Sequence, residues 1–151
     1  MIGLPYALQR ALLGPIARTS AKRKEIEMVG DNDAMATIAV KNLTAARKFY
    51  EGTLGFKVVH TEGDQAVNYK SGKSQLLVYQ SQYAGTNKAT GATWMVSDLE
   101  RLVKDLKAKG VAFEHYNMPG VTLKGDIHIA GNLKNAWFKD PDGNILALVS
   151  Q

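Results

Sequence analysis

Apolar positions recur at helical spacing in two stretches of the chain. Leu43, Ala46, Phe49, Tyr50 and Leu54 form one stripe that stops at Gly55, and Leu99, Leu102, Val103 and Leu106 form a second that stops at Gly110. Asn42 and Asp98 stand just before the stripes, where a side-chain oxygen can accept from the first free backbone N–H groups. A glycine just past the last turn ends a helix readily, because it enters the left-handed region without strain. Behind each helix the pattern switches to short apolar or alternating runs bounded by turn residues. These predict strands over 57–62, 66–71 and 75–80 in the first half, and over 112–116, 135–139 and 145–149 in the second.

An internal repeat relates the two halves. The nine residues from Met35, Met-Ala-Thr-Ile-Ala-Val-Lys-Asn-Leu, align without a gap on the nine from Gly91, Gly-Ala-Thr-Trp-Met-Val-Ser-Asp-Leu, 56 residues later. Each half reads as strand, helix, strand, strand, strand, in modules of about 35–80 and 91–151. One module cannot cover both faces of its own sheet, so two must close on each other. The expected fold class is α+β, built from two βαβββ modules.

Composition narrows the chemistry. The 151 residues suit one domain with a sizeable core, at 45% apolar and 22% charged. With no cysteine, disulfides, thiolate nucleophiles and zinc–thiolate sites are excluded. No stretch approaches the ~20 apolar residues of a membrane span, so no membrane partner is expected. The net charge of +5 is concentrated: residues 1–24 hold Arg10, Arg18, Lys22, Arg23 and Lys24 and no acid, which leaves the remainder neutral. A nucleic-acid-binding surface needs a basic stripe on the folded body, and none is read here. Residues 1–34 are taken as a basic N-terminal extension ending in the joint Gly30-Asp-Asn-Asp, and residues 35–151 as the compact domain. A cytoplasmic protein is the default expectation; an organelle is the alternative, because the acid-free start resembles a transit segment.

Three motifs then carry a resemblance. They are Val-Lys-Asn-Leu-Thr-Ala-Ala-Arg-Lys-Phe-Tyr from Val40, Leu-Gly-Phe from Leu54, and Trp-Phe-Lys-Asp-Pro-Asp-Gly-Asn-Ile from Trp137. With the repeat, residues 35–151 resemble the vicinal oxygen chelate superfamily of glyoxalase I, bleomycin-resistance proteins and extradiol dioxygenases. The resemblance implies a curved mixed sheet with a concave cavity. It also implies, in catalytic members, a divalent ion held there by His, Glu or Gln side chains, acting as a Lewis acid. The four implied positions are Met35, Gly91, Ala147 and Leu77, or Val78 if the register differs by one. A thioether, a hydrogen, a methyl and an aliphatic chain are no ligands for a hard divalent ion. No metal or other cofactor is therefore expected; the alternative is one divalent metal at a site outside the family pattern.

Strand alternation sorts the rest by face. Met35, Thr37, Gly91, Thr93, Met95 and Ala147 are expected to face the cavity, with Leu77 beside them; Ile38, Val40, Trp94, Val96, Leu146 and Leu148 should face the helices. The family pocket includes the residue three before the Asp of the turn, here Trp137. Tyr69, Tyr79, His115 and Tyr116 are expected as polar groups at the rim, and His115 and His128 could meet across the mouth. The connection over 117–133 holds Gly120, Gly125 and Gly131 and reads equally as a lid or as an added hairpin covering an edge. The leading functional expectation is a cofactor-free protein that binds an apolar or aromatic small molecule, working as a homodimer. The alternative is a lyase, isomerase or dioxygenase with a relocated metal, or with acid–base chemistry through catalytic candidates His115, Tyr116 or His128. A third reading is a regulatory module acting through the basic extension.

Overall fold

A computed structural model describes residues 28–151. The expectation of a basic extension falls mainly on residues outside this range. A short turn of 3-10 helix, Val29–Asp31, precedes the first strand.

The first module runs β1 (Ala36–Val40), helix α1 (Leu43–Arg47), β2 (Lys57–Glu62), β3 (Ala66–Ser71) and β4 (Ser74–Gln80). The second runs β5 (Thr90–Met95), helix α2 (Leu99–Ala108), β6 (Phe113–Glu114), β7 (Thr122–Lys124), β8 (Ile127–Ala130), β9 (Leu133–Lys139) and β10 (Ile145–Ser150). Both caps form: Asn42 Oδ1 accepts from the Ala45 N–H at 2.9 Å, and Asp98 Oδ1 from the Arg101 N–H at 3.0 Å. Gly55 and Gly110 take φ of +78° and +87°, the terminators the pattern predicts. One feature departs from a regular helix. After Arg47 the first helix widens into a π-helical turn, Lys48–Thr53, in which the Leu54 N–H reaches Phe49 O at 2.9 Å. The wider turn lets consecutive Phe49 and Tyr50 both reach the core.

The strands form a four-stranded sheet in the order β1-β4-β3-β2 and a six-stranded sheet whose main path is β5-β10-β9-β8-β7. In each, the first strand of the module runs parallel to the last, β1 to β4 and β5 to β10, and the remaining pairings are antiparallel. The sheets are separate in hydrogen bonding and meet where β1 and β5 approach. The 117–133 connection resolves as the hairpin β7–β8. It matters for the ladder: β6 covers β9 at Trp137 and Phe138, and β8 covers the same edge at Leu133 to Asn135, so two short strands do the work of one.

Both helices and one face of each sheet share a single core. Ile38, Val40, Tyr50, Val67 and Val78 from the first module pack with Ala92, Leu99, Phe138, Leu146 and Leu148 from the second. Polar bonds cross the same seam. Tyr50 Oη donates to Asp140 Oδ2 at 2.8 Å, Asn144 Nδ2 to Ala39 O at 2.8 Å, and the Lys41 N–H to Asp142 Oδ2 at 2.9 Å. The Asp-Pro-Asp-Gly-Asn turn is thus a clasp on β1 as well as a hairpin. Burial, and then the charge of Asp140, push the Tyr50 hydroxyl well above its ordinary pKa.

Candidate ligand-binding face

Directly paired residues of neighbouring strands share a face, so the faces turned away from the common core can be read from the register. On the first sheet Thr37 pairs with Leu77, Leu77 with Asn68, Ala39 with Tyr79 and Tyr79 with Ala66. Leu77 and Ala66 are fully covered, with Met35 and Tyr79 packed over them. This face is closed by Leu77 and Ala66 under Met35 and Tyr79, and it also buries Asn68, which donates to Gln75 Oε1.

Tyr69 needs correction. Its register partner is Leu76, on the core side, and it is 0% exposed. It stacks on Tyr50 at 6.1 Å between ring centres and donates its hydroxyl to Glu51 Oε1 at 3.1 Å. Burial and that hydrogen bond raise its pKa, while Arg47, bonded to Glu51 at 2.7 Å, holds the carboxyl below its ordinary value. Tyr69 is a core residue and does not reach the rim. The sequence misled because 66–71 is covered almost throughout, so exposure does not alternate along it.

On the second sheet Thr93 pairs with Ala147, Ala147 with Trp137 and Trp137 with Glu114; Val149 pairs with Met95 and Asn135, and Asn135 with His128. This face carries an aromatic group. Trp137 meets His128 edge to face with ring centres 4.9 Å apart, and Tyr116 at 5.5 Å. The Trp137 Nε1–H donates to Thr90 Oγ1 at 3.2 Å. Met95, at 68%, and Thr93 remain exposed beside it. Trp94 takes the opposite face as alternation requires. Its Nε1–H donates to Ser71 Oγ at 2.9 Å, and the ring lines an apolar cleft of about 160 Å³ with Phe56, Leu102 and Leu148.

Gly91 also needs correction. The β5–β10 register slips between Ile145 and Leu146, so Ile145 pairs with Thr90 and Leu146 with Ala92. A Cβ on Gly91 would point at Ile38 Cδ1, 3.1 Å away, at the seam between modules. Thr90, not Gly91, presents its side chain to Trp137. A bulge shifts side chains between faces, and no period-2 count along the sequence reveals one.

The histidines do not come together. His115 projects to the other side from Tyr116, with Nε2 2.9 Å from Asp126 Oδ1, and Lys107 binds the second oxygen of that carboxylate. Lys107 and then His115 hold Asp126 below its ordinary pKa. This cluster pins the β7–β8 turn to α2. His128 is 1% exposed, and its Nε2 accepts from the Tyr116 backbone N–H at 2.9 Å. That bond places the ring proton on Nδ1. Among the described residues, neither His128 Nδ1 nor the Tyr116 hydroxyl has a hydrogen-bond partner, although both atoms are buried. A buried donor left unpaired costs ~1–3 kcal/mol.

The divalent ion implied by the resemblance does not fit. Of the four positions, Leu77 is 0% and Ala147 2% exposed, Gly91 faces the seam, and Met35 offers a thioether packed on Leu77. Among the described residues no group of three or more His, Asp or Glu side chains could hold a metal ion. Among the same residues, no helix is long and apolar enough to cross a membrane.

Paired βαβββ modules with the clasping turn are what the comparison with known proteins meets. The family model of the Glyoxalase/Bleomycin resistance protein/Dioxygenase superfamily matches residues 34–148. The chain belongs to this superfamily. Solved structures similar to this superfamily member include a lactoylglutathione lyase from Agrobacterium tumefaciens, 19% identical, covering 79% of this chain and 92% of that one at a TM-score of 0.59. A glyoxalase family protein from Enterococcus faecalis is 22% identical, over 81% and 99% of the two chains, at 0.61. The fosfomycin resistance protein FosX from Listeria monocytogenes is 11% identical, over 80% and 93%, also at 0.61. At these identities the likeness is one of fold. No curated protein matches the chain.

Proposed function

We propose that this superfamily member binds a flat apolar or aromatic small molecule against the open face of its second sheet, without a catalytic metal. The observation that carries the reading is the contrast in side chains on that face. The positions that would ligate a metal are aliphatic, thioether or bare backbone, while Trp137, His128 and Tyr116 gather into an aromatic surface bordered by Thr93 and Met95. Aromatic walls with a few polar groups suit ligand binding. A ligand on this face is covered from one side only, so the reading includes a homodimer in which a second copy covers the other. Sedimentation of the purified chain as a monomer at micromolar concentration overturns that part.

The test is a small-molecule screen by thermal shift, since binding to the native state raises the midpoint. Hits are followed through the two tryptophan indole N–H signals in a nitrogen-15 spectrum. The expected result is that hits move the Trp137 signal and leave Trp94 in place. Hits that move only Trp94 put the site in the cleft beside the helices and overturn the reading. One tightly held divalent ion per purified chain, with stability lost on chelation, overturns the metal-free part.

A further inference from the structure

Two atoms on the second sheet's open face have no role in the fold. His128 is fixed at three points: by its strand register with Asn135, by the Tyr116 N–H on Nε2, and by Trp137 against its ring. Its Nδ1–H is buried and aimed at nothing polar among the described residues. Tyr116 lies at 6.1 Å from the imidazole, with its own hydroxyl buried and unpartnered. Its backbone N–H serves His128 and its ring packs on Trp137, while its hydroxyl serves nothing among the described residues. Lifting the phenol breaks no hydrogen bond, lets the hydroxyl reach water, and gives up only its edge-to-face contact with Trp137 beside the imidazole. The segment after it, with Pro119 and Gly120, is irregular, so no strand ladder holds the ring down.

We infer that Tyr116 is a gate and that His128 Nδ1–H is the hydrogen-bond donor for a carbonyl oxygen of the bound molecule, whose flat apolar part rests against Trp137. This deepens the ligand-binding reading above and rests on it. The ligand class is an aryl or conjugated ketone, ester or amide: flat, apolar, with one acceptor. A carboxylate is disfavoured, because Glu114 pairs directly with Trp137 on the same face. Lys139 is bonded to Glu114 at 2.8 Å and cannot serve an anion without releasing it.

The probes are acetophenone and α-methylstyrene, which share a shape and differ in having C=O or C=CH2. The wild-type protein is titrated with each while the Trp137 indole and the His128 ring nitrogens are followed by NMR. Acetophenone should move both Trp137 and His128 Nδ1 and bind about tenfold more tightly, the worth of one neutral hydrogen bond in a dry site. Tyr116→Ala should tighten acetophenone binding several-fold, because the site no longer has to open first. If both probes move Trp137 with equal affinity and Nδ1 stays still, the donor assignment falls and the ligand-binding reading stands. If neither probe touches Trp137, both fall. If Tyr116→Ala weakens binding, Tyr116 is a wall of the site and the gate is overturned. His128→Phe keeps an aromatic ring but removes the Nδ1 donor together with the Nε2 acceptor of the Tyr116 N–H. It should equalise the two probes, and the wild-type nitrogen shifts carry the test should that variant fail to fold.

Discussion

The two modules share a scaffold and differ in what they present. Their first strands, caps and terminating glycines correspond, and their core-side faces merge into one apolar cluster. Their open faces share an exposed threonine at the matching repeat position, Thr37 and Thr93, and each buries a polar atom without a partner among the described residues. They differ in what lines them. The first is sealed by Leu77, Ala66, Met35 and Tyr79. The second carries Trp137, His128 and Tyr116, two of them holding buried polar atoms without partners. A repeat conserves what both copies need in order to fold, namely a core face and its punctuation. The open face is free to diverge because its side chains do not decide whether the modules close.

The comparison can be broken at the shared core. Phe138 sits on β9 but packs its ring against Phe49 of the first module as well as Phe113 of its own. Phe138→Ala should cost ~3–5 kcal/mol and lower a single cooperative transition seen by probes in either half. Two separate transitions in denaturant, one per module, would show that the halves are independent units.

A smaller effect sharpens the scaffold's symmetry. Asn42→Ala and Asp98→Ala each remove one capping acceptor, and each should cost ~0.5–2 kcal/mol. The two costs should differ only by the helix-dipole contribution of the Asp98 carboxylate, ~0.3–1 kcal/mol, because the capping bond is the same in both copies. Chemical denaturation of both variants checks this. A large inequality would mean that the π-helical turn after Arg47 has changed what the first cap supports.

The smallest effect lies in the hairpin that only the second module has. Asp126 has a depressed pKa in the folded chain, so it stabilises the fold above its unfolded pKa of about 4 and loses that contribution as pH falls through its folded value. Both partners are largely exposed, so Asp126→Asn should cost only ~0.2–1 kcal/mol at neutral pH. The gap between variant and wild type should narrow below about pH 4. Thermal melts from pH 7 to pH 3 read it directly. A gap that widens in acid would reverse the sign and remove Asp126 as the latch.

The sequence by itself determined the two modules, both helices, their caps and terminators, and most strand positions, because each is encoded in local periodicity or in one residue's conformational preference. Asn42, Asp98, Gly55 and Gly110 act within a turn of themselves, so neighbours in sequence suffice to read them. It also placed Trp94 and Trp137 on opposite faces, since alternation survives wherever a strand is regular. Only the tertiary structure decided the rest. Tyr69 goes to the core because Tyr50, Phe56 and Glu51 come from elsewhere in the fold to receive it. Gly91 turns to the seam because the β5–β10 ladder slips there, an event set by the partner strand. His115 and His128 part company because His115 lies beyond the end of β6 and turns to Asp126, while the long connection folds into a hairpin that sets His128 on the Tyr116 N–H. Local pattern fixes which face of an element is apolar; which side chains meet across the molecule depends on register and packing between segments far apart in the chain.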